Sequence, residues 1–98
     1  MLFAKKYKSI DINEIKKLDE INIIDVRSAE EYQQYNINGT RNIELMELLS
    51  FPEKYLKKDE IYYLMCASGM RSNNACASLS KLNYNVINLK GGIMKYNG

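Results

Sequence analysis

The chain has 98 residues, and its 14 basic and 12 acidic side chains leave a net charge of only +2. This near balance argues against nucleic acid as the main partner, since nucleic acids usually bind basic surfaces. The absence of His excludes Ser-His and Cys-His catalytic pairs and, with only two Cys present, nearly every common zinc site. Chains of this length usually fold as one unit, so we expect a single domain over residues 1–98.

The sequence contains no segment that is apolar for long enough to cross a bilayer. The longest apolar run, from Ile61 to Ala67, has seven residues, whereas a spanning helix needs about 20. The first residues, from Met1 to Lys6, lack the apolar core of a secretory signal. We therefore expect no contact with a membrane and a cytoplasmic location, where thiols stay reduced.

Two capping-box spacings and a β-branched run organise the first half of the chain. Asp11 with Glu14, and Ser28 with Glu31, place an N-cap side chain three residues before a Glu. This spacing is typical of a helix start. The run over 21–26 is rich in Ile and Val, which indicates a buried strand. The predicted elements are an extended segment over 8–10, a helix capped by Asp11, the strand over 21–26 and a helix over 29–35.

The second half continues the alternation of strands and helices. Its predicted elements are a short strand over 42–45, a helix over 46–55 that Pro52 interrupts, a strand over 61–65, a helix over 70–82 and a strand over 86–89. Helical spacing places Ala75, Cys76, Leu79 and Leu82 on the inner face of the helix over 70–82. Strands that alternate with helices pair in parallel, so we expect an α/β fold, with a central parallel sheet flanked by helices on both faces.

The segment with the clearest chemistry joins the strand over 61–65 to the helix over 70–82. It reads Cys66-Ala67-Ser68-Gly69-Met70-Arg71-Ser72, and we call its first six residues, from Cys66 to Arg71, the cysteine loop. Ligands bind at this carboxyl end of the strands in open α/β sheets. Amides of a tight loop that enters a helix point at an anion. We expect them to favour a thiolate at Cys66, with Arg71 adding a positive charge. The alternative is a small, inert core residue, which is the role we expect for Cys76.

The spacing from Cys to Arg separates two kinds of anion chemistry. Tyrosine phosphatases and related arsenate-handling enzymes have an Arg six positions after their Cys, whereas Arg71 lies five positions after Cys66. A shorter loop encloses less space. It therefore favours a sulfur atom carried on Cys66 over a phosphate or arsenate held above it.

Three further segments accompany the cysteine loop. They are Asp25-Val26-Arg27 with Ser28 and Glu31-Tyr32, the stretch from Ile37 to Ile43, and Leu89-Lys90-Gly91-Gly92. In this order and at this spacing, the four segments resemble those of a single-domain rhodanese, a sulfurtransferase module. The resemblance extends from Ile10 to Tyr96 and implies a single rhodanese-like domain.

The resemblance implies sulfur transfer through a persulfide on Cys66. The Cys66 thiolate would attack the outer sulfur of a small donor, thiosulfate or a persulfide. An acceptor thiol, an acceptor protein or cyanide would then remove that sulfur. The loop amides would stabilise the charge on sulfur in both steps. These amides belong to Ala67, Ser68, Gly69, Met70 and Arg71. We interpret the Arg71 side chain as orienting an anionic donor, as pointing to solvent or as paired with a carboxylate.

Asp25 and Arg27 are expected to support the loop rather than to react. The spacing of Arg27 and Glu31 predicts an ion pair across the helix start. Neither a nucleotide-binding loop nor a metal-ligand cluster appears, so we expect no cofactor and no metal. Two other functions stay open: a sulfur-carrier or protein-docking module with little turnover of its own, and a phosphatase or arsenate reductase. The second is disfavoured by the loop length and by the missing His.

Overall fold

The computed structural model describes residues 7–98, and the expectation about a secretory signal lies outside them. The strands are β1 (Lys8–Asp11), β2 (Asn22–Asp25), β3 (Thr40–Asn42), β4 (Ile61–Met65) and β5 (Asn85–Lys90). The α-helices are α1 (Ala29–Gln34), α2 (Leu45–Ser50), α3 (Pro52–Tyr55) and α4 (Met70–Lys81). Residues Ile12–Lys17 and Ile93–Lys95 form 3-10 helices. Within residues 7–98, no helix is long and apolar enough to span a bilayer.

The strands of residues 7–98 lie parallel in one five-stranded sheet with the order β1-β5-β4-β2-β3. β4 is central, since its Tyr63 pairs with Ile23 of β2 on one side and with Ile87 of β5 on the other. Parallel strands bring their carboxyl ends to the same edge of the sheet. The strand that precedes the cysteine loop therefore ends in the middle of that edge.

Both faces of the sheet are covered by helices, as predicted. Neighbouring residues of a strand point to opposite faces, and β4 shows this clearly. Leu64 packs with Leu48 of α2 and Leu79 of α4 in one core cluster, while Met65 packs with Ile12 of the first 3-10 helix in another. The predicted α/β fold with a central parallel sheet is thus confirmed, with 3-10 helices contributing the second layer.

One of the two predicted capping boxes forms. At the start of α1 the Ser28 hydroxyl accepts the Glu31 amide at 3.2 Å, and the Glu31 carboxylate accepts the Ser28 amide at 3.0 Å. The capping box predicted at Asp11 does not form. The Asp11 carboxylate accepts the amide of Asn13 at 2.9 Å, and the segment continues as a 3-10 helix. The tighter turn brings the second amide after the cap, rather than the third, to the capping side chain.

The segment between β2 and β4 contains less strand than predicted. β3 covers Thr40–Asn42 rather than 42–45, because Glu44 is already the N-cap of α2. Pro52 interrupts the following helix as predicted, and it begins α3. A helix start accommodates Pro because the missing N–H would have no partner inside the helix there.

The end of α4 departs from the helical period. Ala75, Cys76 and Leu79 are fully buried, whereas Leu82 is 49% exposed, so its predicted place on the inner face is wrong. Leu82 is the C-cap, and the chain reverses through Asn83, which has a φ of 70°. Helical spacing therefore no longer sets the direction of the Leu82 side chain.

A double-glycine turn (Gly91 and Gly92) packs against the cysteine loop. The two amides that follow the turn donate to the carbonyls of Cys66 and Ala67 at 2.9 and 3.0 Å. Gly92 has a φ of 63° and a ψ of −168°, a combination that is essentially restricted to Gly. A Cβ at this position would overlap the same two carbonyl oxygens. The turn after β5 can therefore hold the cysteine loop this closely only because position 92 has no side chain.

We predict that Gly92→Ala lowers the free energy of unfolding by roughly 3 kcal/mol or more, because steric overlap adds to backbone strain. Gly39→Ala is the matched control, since Gly39 also has a positive φ, of 86°, but no atom lies within 4 Å of its added Cβ. That variant should lose only about 1 kcal/mol. Urea unfolding measures both values, and equal losses would contradict the proposed role of Gly92.

Candidate active site

Cys66 follows directly on β4, at the carboxyl edge of the sheet, and its side chain is only 1% exposed. The loop then turns at Gly69, which has a φ of 99°, and enters α4. A Cβ at Gly69 would lie 3.1 Å from the amide nitrogen of Gly91. The cysteine loop therefore wraps around its own sulfur, between the end of β4 and the double-glycine turn.

Hydrogen-bond donors from the start of α4 surround the sulfur of Cys66. The Sγ accepts the Gly69 amide at 3.1 Å, the Ser72 amide at 3.4 Å and the Ser72 hydroxyl at 3.5 Å. Ser72 is fully buried and lies just beyond the loop residues chosen from the sequence. Its position, three residues after the N-cap Gly69, is the feature of the sequence that could have identified Ser72 as a donor. Amides in the first turn of a helix have no partner inside the helix and are free to bind an anion.

These contacts act on the acidity of the thiol. Burial raises the pKa of Cys66, but hydrogen bonds from the Ser72 hydroxyl and from the amides of Ser72, Gly69 and Ser68 outweigh it. The pKa of the Cys66 thiol therefore lies below its ordinary value. The amides replace water as the solvent of the thiolate. A nucleophile activated in this way requires no His.

Ser72 is held in place by a second buried polar residue, Asn88 of β5. The Ser72 hydroxyl lies 2.6 Å from Asn88 Oδ1 and 3.2 Å from the carbonyl oxygen of Gly69. A hydroxyl has one proton, so these two acceptors compete with the sulfur for it. Asn88 was also missed in the sequence, although a polar residue next to Leu89 within an apolar strand was a visible signal.

The Arg71 side chain is paired with a carboxylate, which is one of the three interpretations drawn from the sequence. Its Nη1 and Nη2 donate to Glu31 Oε1 and Oε2 at 2.9 and 3.0 Å. Hydrogen bonds from Arg71 and from the Ser28 amide lower the pKa of Glu31 to about 2. The start of α4 is thus fastened to the start of α1 by a bidentate ion pair.

Asp25 and Arg27 form a buried pair beneath this contact. Asp25 is fully buried and Arg27 is 5% exposed. Arg27 Nη2 donates to Asp25 Oδ2 at 2.8 Å and to the Tyr35 carbonyl at 2.7 Å. The predicted Arg27–Glu31 ion pair is therefore wrong, because the buried Asp25 binds the guanidinium and Glu31 offers it only a carbonyl oxygen, at 3.4 Å. The pair ties the end of β2 to α1.

The other residues of the cysteine loop lie around its outer side. The Ala67 carbonyl accepts the amide of Met94 at 3.0 Å. The Ser68 hydroxyl lies 3.4 Å from the amide nitrogen of Met70, whose side chain is 73% exposed. The cysteine loop therefore presents a methionine to solvent.

Cys76 has the core position expected for it. It is fully buried in α4, and burial raises its pKa to about 12. The two thiols of the chain therefore differ in acidity, and only Cys66 is surrounded by donors. In the described residues, 7–98, no group of three or more His, Cys, Asp or Glu side chains could hold a metal ion.

We predict that Ser72→Ala slows alkylation of Cys66 at neutral pH by roughly three- to tenfold, because a hydrogen bond of 3.5 Å whose proton has competing acceptors contributes on the order of 1 kcal/mol. Arg71→Ala should slow it less, since the charge of Arg71 is already balanced by Glu31. Iodoacetamide rates measured from pH 5 to 10 give the apparent pKa of each variant. A larger shift in Arg71→Ala than in Ser72→Ala would contradict this assignment.

The domain as a whole matches a known family. The family model described as "Rhodanese-like domain" matches residues 10–98. The chain belongs to the rhodanese-like family. Residues 7–98 accordingly form a single rhodanese-like α/β domain, and the resemblance drawn from the sequence is confirmed.

Relatives of this rhodanese-like domain carry names from sulfur chemistry. It is 37% identical over 82 residues to the Bacillus subtilis protein named "Putative sulfurtransferase YtwF", covering 82% of this chain and 77% of that protein. It is 36% identical over 81 residues to "Putative sulfur carrier protein YrkF" of the same species, with 82% of this chain but only 43% of that protein covered.

A solved structure has the same architecture. The crystal structure of a rhodanese-like domain protein from Staphylococcus aureus superposes with a TM-score of 0.83 at 29% identity. The alignment covers 92% of this chain and 91% of that chain. The similarity therefore extends over nearly the full length of both chains.

Proposed function

We propose that this rhodanese-like domain transfers sulfane sulfur through a persulfide on Cys66. The observation that carries the proposal is the set of donors around Cys66 Sγ, from Gly69 and Ser72, which favours a thiolate without a neighbouring base. Family membership and the relative named a sulfurtransferase support it. Both thiols are free, which suits a reducing compartment such as the cytoplasm.

The loading step is a displacement at sulfur. With thiosulfate, the Cys66 thiolate attacks the sulfane sulfur, a new sulfur–sulfur bond forms at Sγ, and the original sulfur–sulfur bond breaks. The electron pair of the broken bond leaves on sulfite. No proton is transferred, because the Cys66 persulfide retains the negative charge. The α4 amides that solvate the thiolate are placed to bind the charged sulfur that replaces it.

The unloading step repeats the displacement with the domain as donor. An acceptor thiolate, or cyanide in an assay, attacks the outer sulfur of the persulfide. The bond to Sγ breaks, and its electron pair returns to Cys66 as thiolate. The amides of Gly69 and Ser72 then stabilise the leaving group. The same donors thus serve both halves of the reaction.

The second candidate is a sulfur carrier that loads but turns over little by itself. The relative named a sulfur carrier protein supports it, and so does the small exposure of Cys66, which limits access by free acceptors. The two candidates differ in one measurable quantity. A carrier is loaded once per chain, whereas an enzyme forms many equivalents of thiocyanate from thiosulfate and cyanide.

We predict that thiosulfate adds the mass of one sulfur atom to the intact chain and that cyanide removes it. Cys66→Ser should abolish the addition, because it removes the nucleophile. Cys76→Ser is the matched control and should keep it, since that thiol is buried and holds its proton. Intact-mass spectrometry with peptide mapping makes the measurement. Loading of Cys66→Ser to the level of the unchanged chain would disprove the catalytic assignment.

We also predict that the domain does not hydrolyse aryl phosphates above background. The loop from Cys66 to Arg71 is one residue shorter than in phosphatases of the same motif type, and Arg71 is bound to Glu31. Insertion of one Gly after Gly69 should weaken sulfur loading and increase phosphate binding. Aryl phosphate hydrolysis by the unchanged chain at rates comparable to sulfur transfer would refute the argument from loop size.

A further inference from the structure

The guanidinium of Arg71, beside the cysteine loop, is occupied by a carboxylate. Both of its terminal nitrogens donate to Glu31, at 2.9 and 3.0 Å. This two-point geometry is also the one that binds an oxyanion such as thiosulfate. A dianionic donor and Glu31 therefore compete for the same face of the same side chain.

Glu31 is itself fixed on α1. Its Oε1 accepts the amide and the hydroxyl of Ser28, at 3.0 and 3.2 Å, as part of the helix cap. These contacts and Arg71 hold the pKa of Glu31 at about 2, so the carboxylate stays charged wherever the Cys66 thiolate exists. An incoming anion meets a carboxylate that is fully ionised and held by its own helix.

The charge of Arg71 interacts with that of the reacting sulfur. The next residue, Ser72, touches Cys66 Sγ with both its amide and its hydroxyl. The hydrogen bonds to Glu31 contribute most to raising the pKa of Arg71. The negative charges of Glu31 and Cys66 raise it further. The side chains of the ion pair are 40% and 36% exposed, so a donor in solution can reach them.

We propose that Glu31 is a positioning residue that sets the charge selectivity of the sulfur donor. By neutralising and anchoring Arg71, it disfavours dianionic donors such as thiosulfate relative to donors with a single negative charge. The inference rests on the proposed sulfur transfer at Cys66 and names the class of donor that this site accepts best.

Two donors of similar shape isolate the effect of charge. Thiosulfate carries two negative charges, whereas methanethiosulfonate has a methyl group in place of one oxygen and carries one. With either donor the Cys66 thiolate forms a bond to the sulfane sulfur, and the donor's sulfur–sulfur bond breaks. The electron pair leaves on sulfite in the first case and on methanesulfinate in the second. The chemistry at Cys66 is otherwise the same.

The test compares Glu31→Gln with Glu30→Gln. Gln at position 31 still completes the helix cap, and Glu30 is an exposed neighbour in the same first turn of α1. In Glu31→Gln we expect the preference for methanethiosulfonate over thiosulfate, as a ratio of kcat/KM, to fall by roughly five- to tenfold. The change should lie in a lower KM for thiosulfate, because a free guanidinium adds binding in the ground state and transition state alike. An unchanged ratio, or an equal change in Glu30→Gln, overturns the proposal.

The same substitution made in a chain that lacks Arg71 tests whether Glu31 acts through Arg71. In Arg71→Gln, the effect of Glu31→Gln on the donor ratio should shrink to less than half, because the group that Glu31 neutralises is gone. An undiminished effect would mean that Glu31 acts only by its own charge, and it would overturn the role assigned to the ion pair. Thermal unfolding of each variant verifies that the fold is retained.

Alkylation of Cys66 tests charge control by Glu31 independently of the proposed sulfur transfer. Iodoacetate is anionic and iodoacetamide is neutral, and both react with Cys66 without any sulfur donor. Glu31→Gln should raise the relative rate of iodoacetate by roughly two- to fivefold, and Glu30→Gln should not. If neither sulfur donor loads Cys66 but this ratio changes as expected, sulfur transfer is wrong and charge control stands. If both donors load and neither ratio changes, charge control is wrong and sulfur transfer stands.

Discussion

The shape of the cysteine loop depends on the close contact between its first two carbonyls and the end of β5. Those carbonyls, of Cys66 and Ala67, accept the two amides that follow Gly92. The contact is possible because position 92 has no Cβ and a backbone conformation reserved for Gly. With the carbonyls bound at the back, the amides of the loop remain free to turn toward the sulfur. The arrangement of donors around the Cys66 sulfur therefore depends on a backbone contact behind the loop.

A layer of buried polar side chains reinforces the carboxyl edge of the sheet. Asp25 and Arg27 connect the end of β2 to α1, and Ser72, in the first turn of α4, is bonded to Asn88 of β5. Burying such groups costs free energy unless they are hydrogen-bonded. In the described residues every buried side-chain nitrogen and oxygen has a partner. Buried polar groups that are fully hydrogen-bonded rigidify their surroundings, which suits a site whose donors must already point at the charge before it forms.

The sequence was most informative where the chemistry is local. A run rich in Ile and Val predicts β2, an uncharged apolar run predicts β4, the Ser28 spacing predicts the cap of α1, and the residues from Cys66 to Arg71 predict the loop after β4. One of its failures, the Arg27–Glu31 ion pair, has a clear physical origin. Spacing rules assume that a side chain binds a neighbour in its own element, so Arg27 was matched with Glu31, four residues away. The actual partner of Glu31 is Arg71, 40 residues further along the chain. Pairings at that distance follow from the folded sheet and not from helical spacing.

The near-complete burial of Cys66 has a consequence for how the domain meets other molecules. The thiol is 1% exposed, so a bulky acceptor touching the surface finds almost no sulfur there. A persulfide extends the chain of sulfur by one bond, about 2 Å long. The reactive atom of a loaded domain would then be the outer sulfur, one bond further from the backbone than Cys66 Sγ. A bulky acceptor would find a sulfur to attack only on the loaded form, although the fold is the same in both. The transferred sulfur itself would thus distinguish the loaded domain from the empty one.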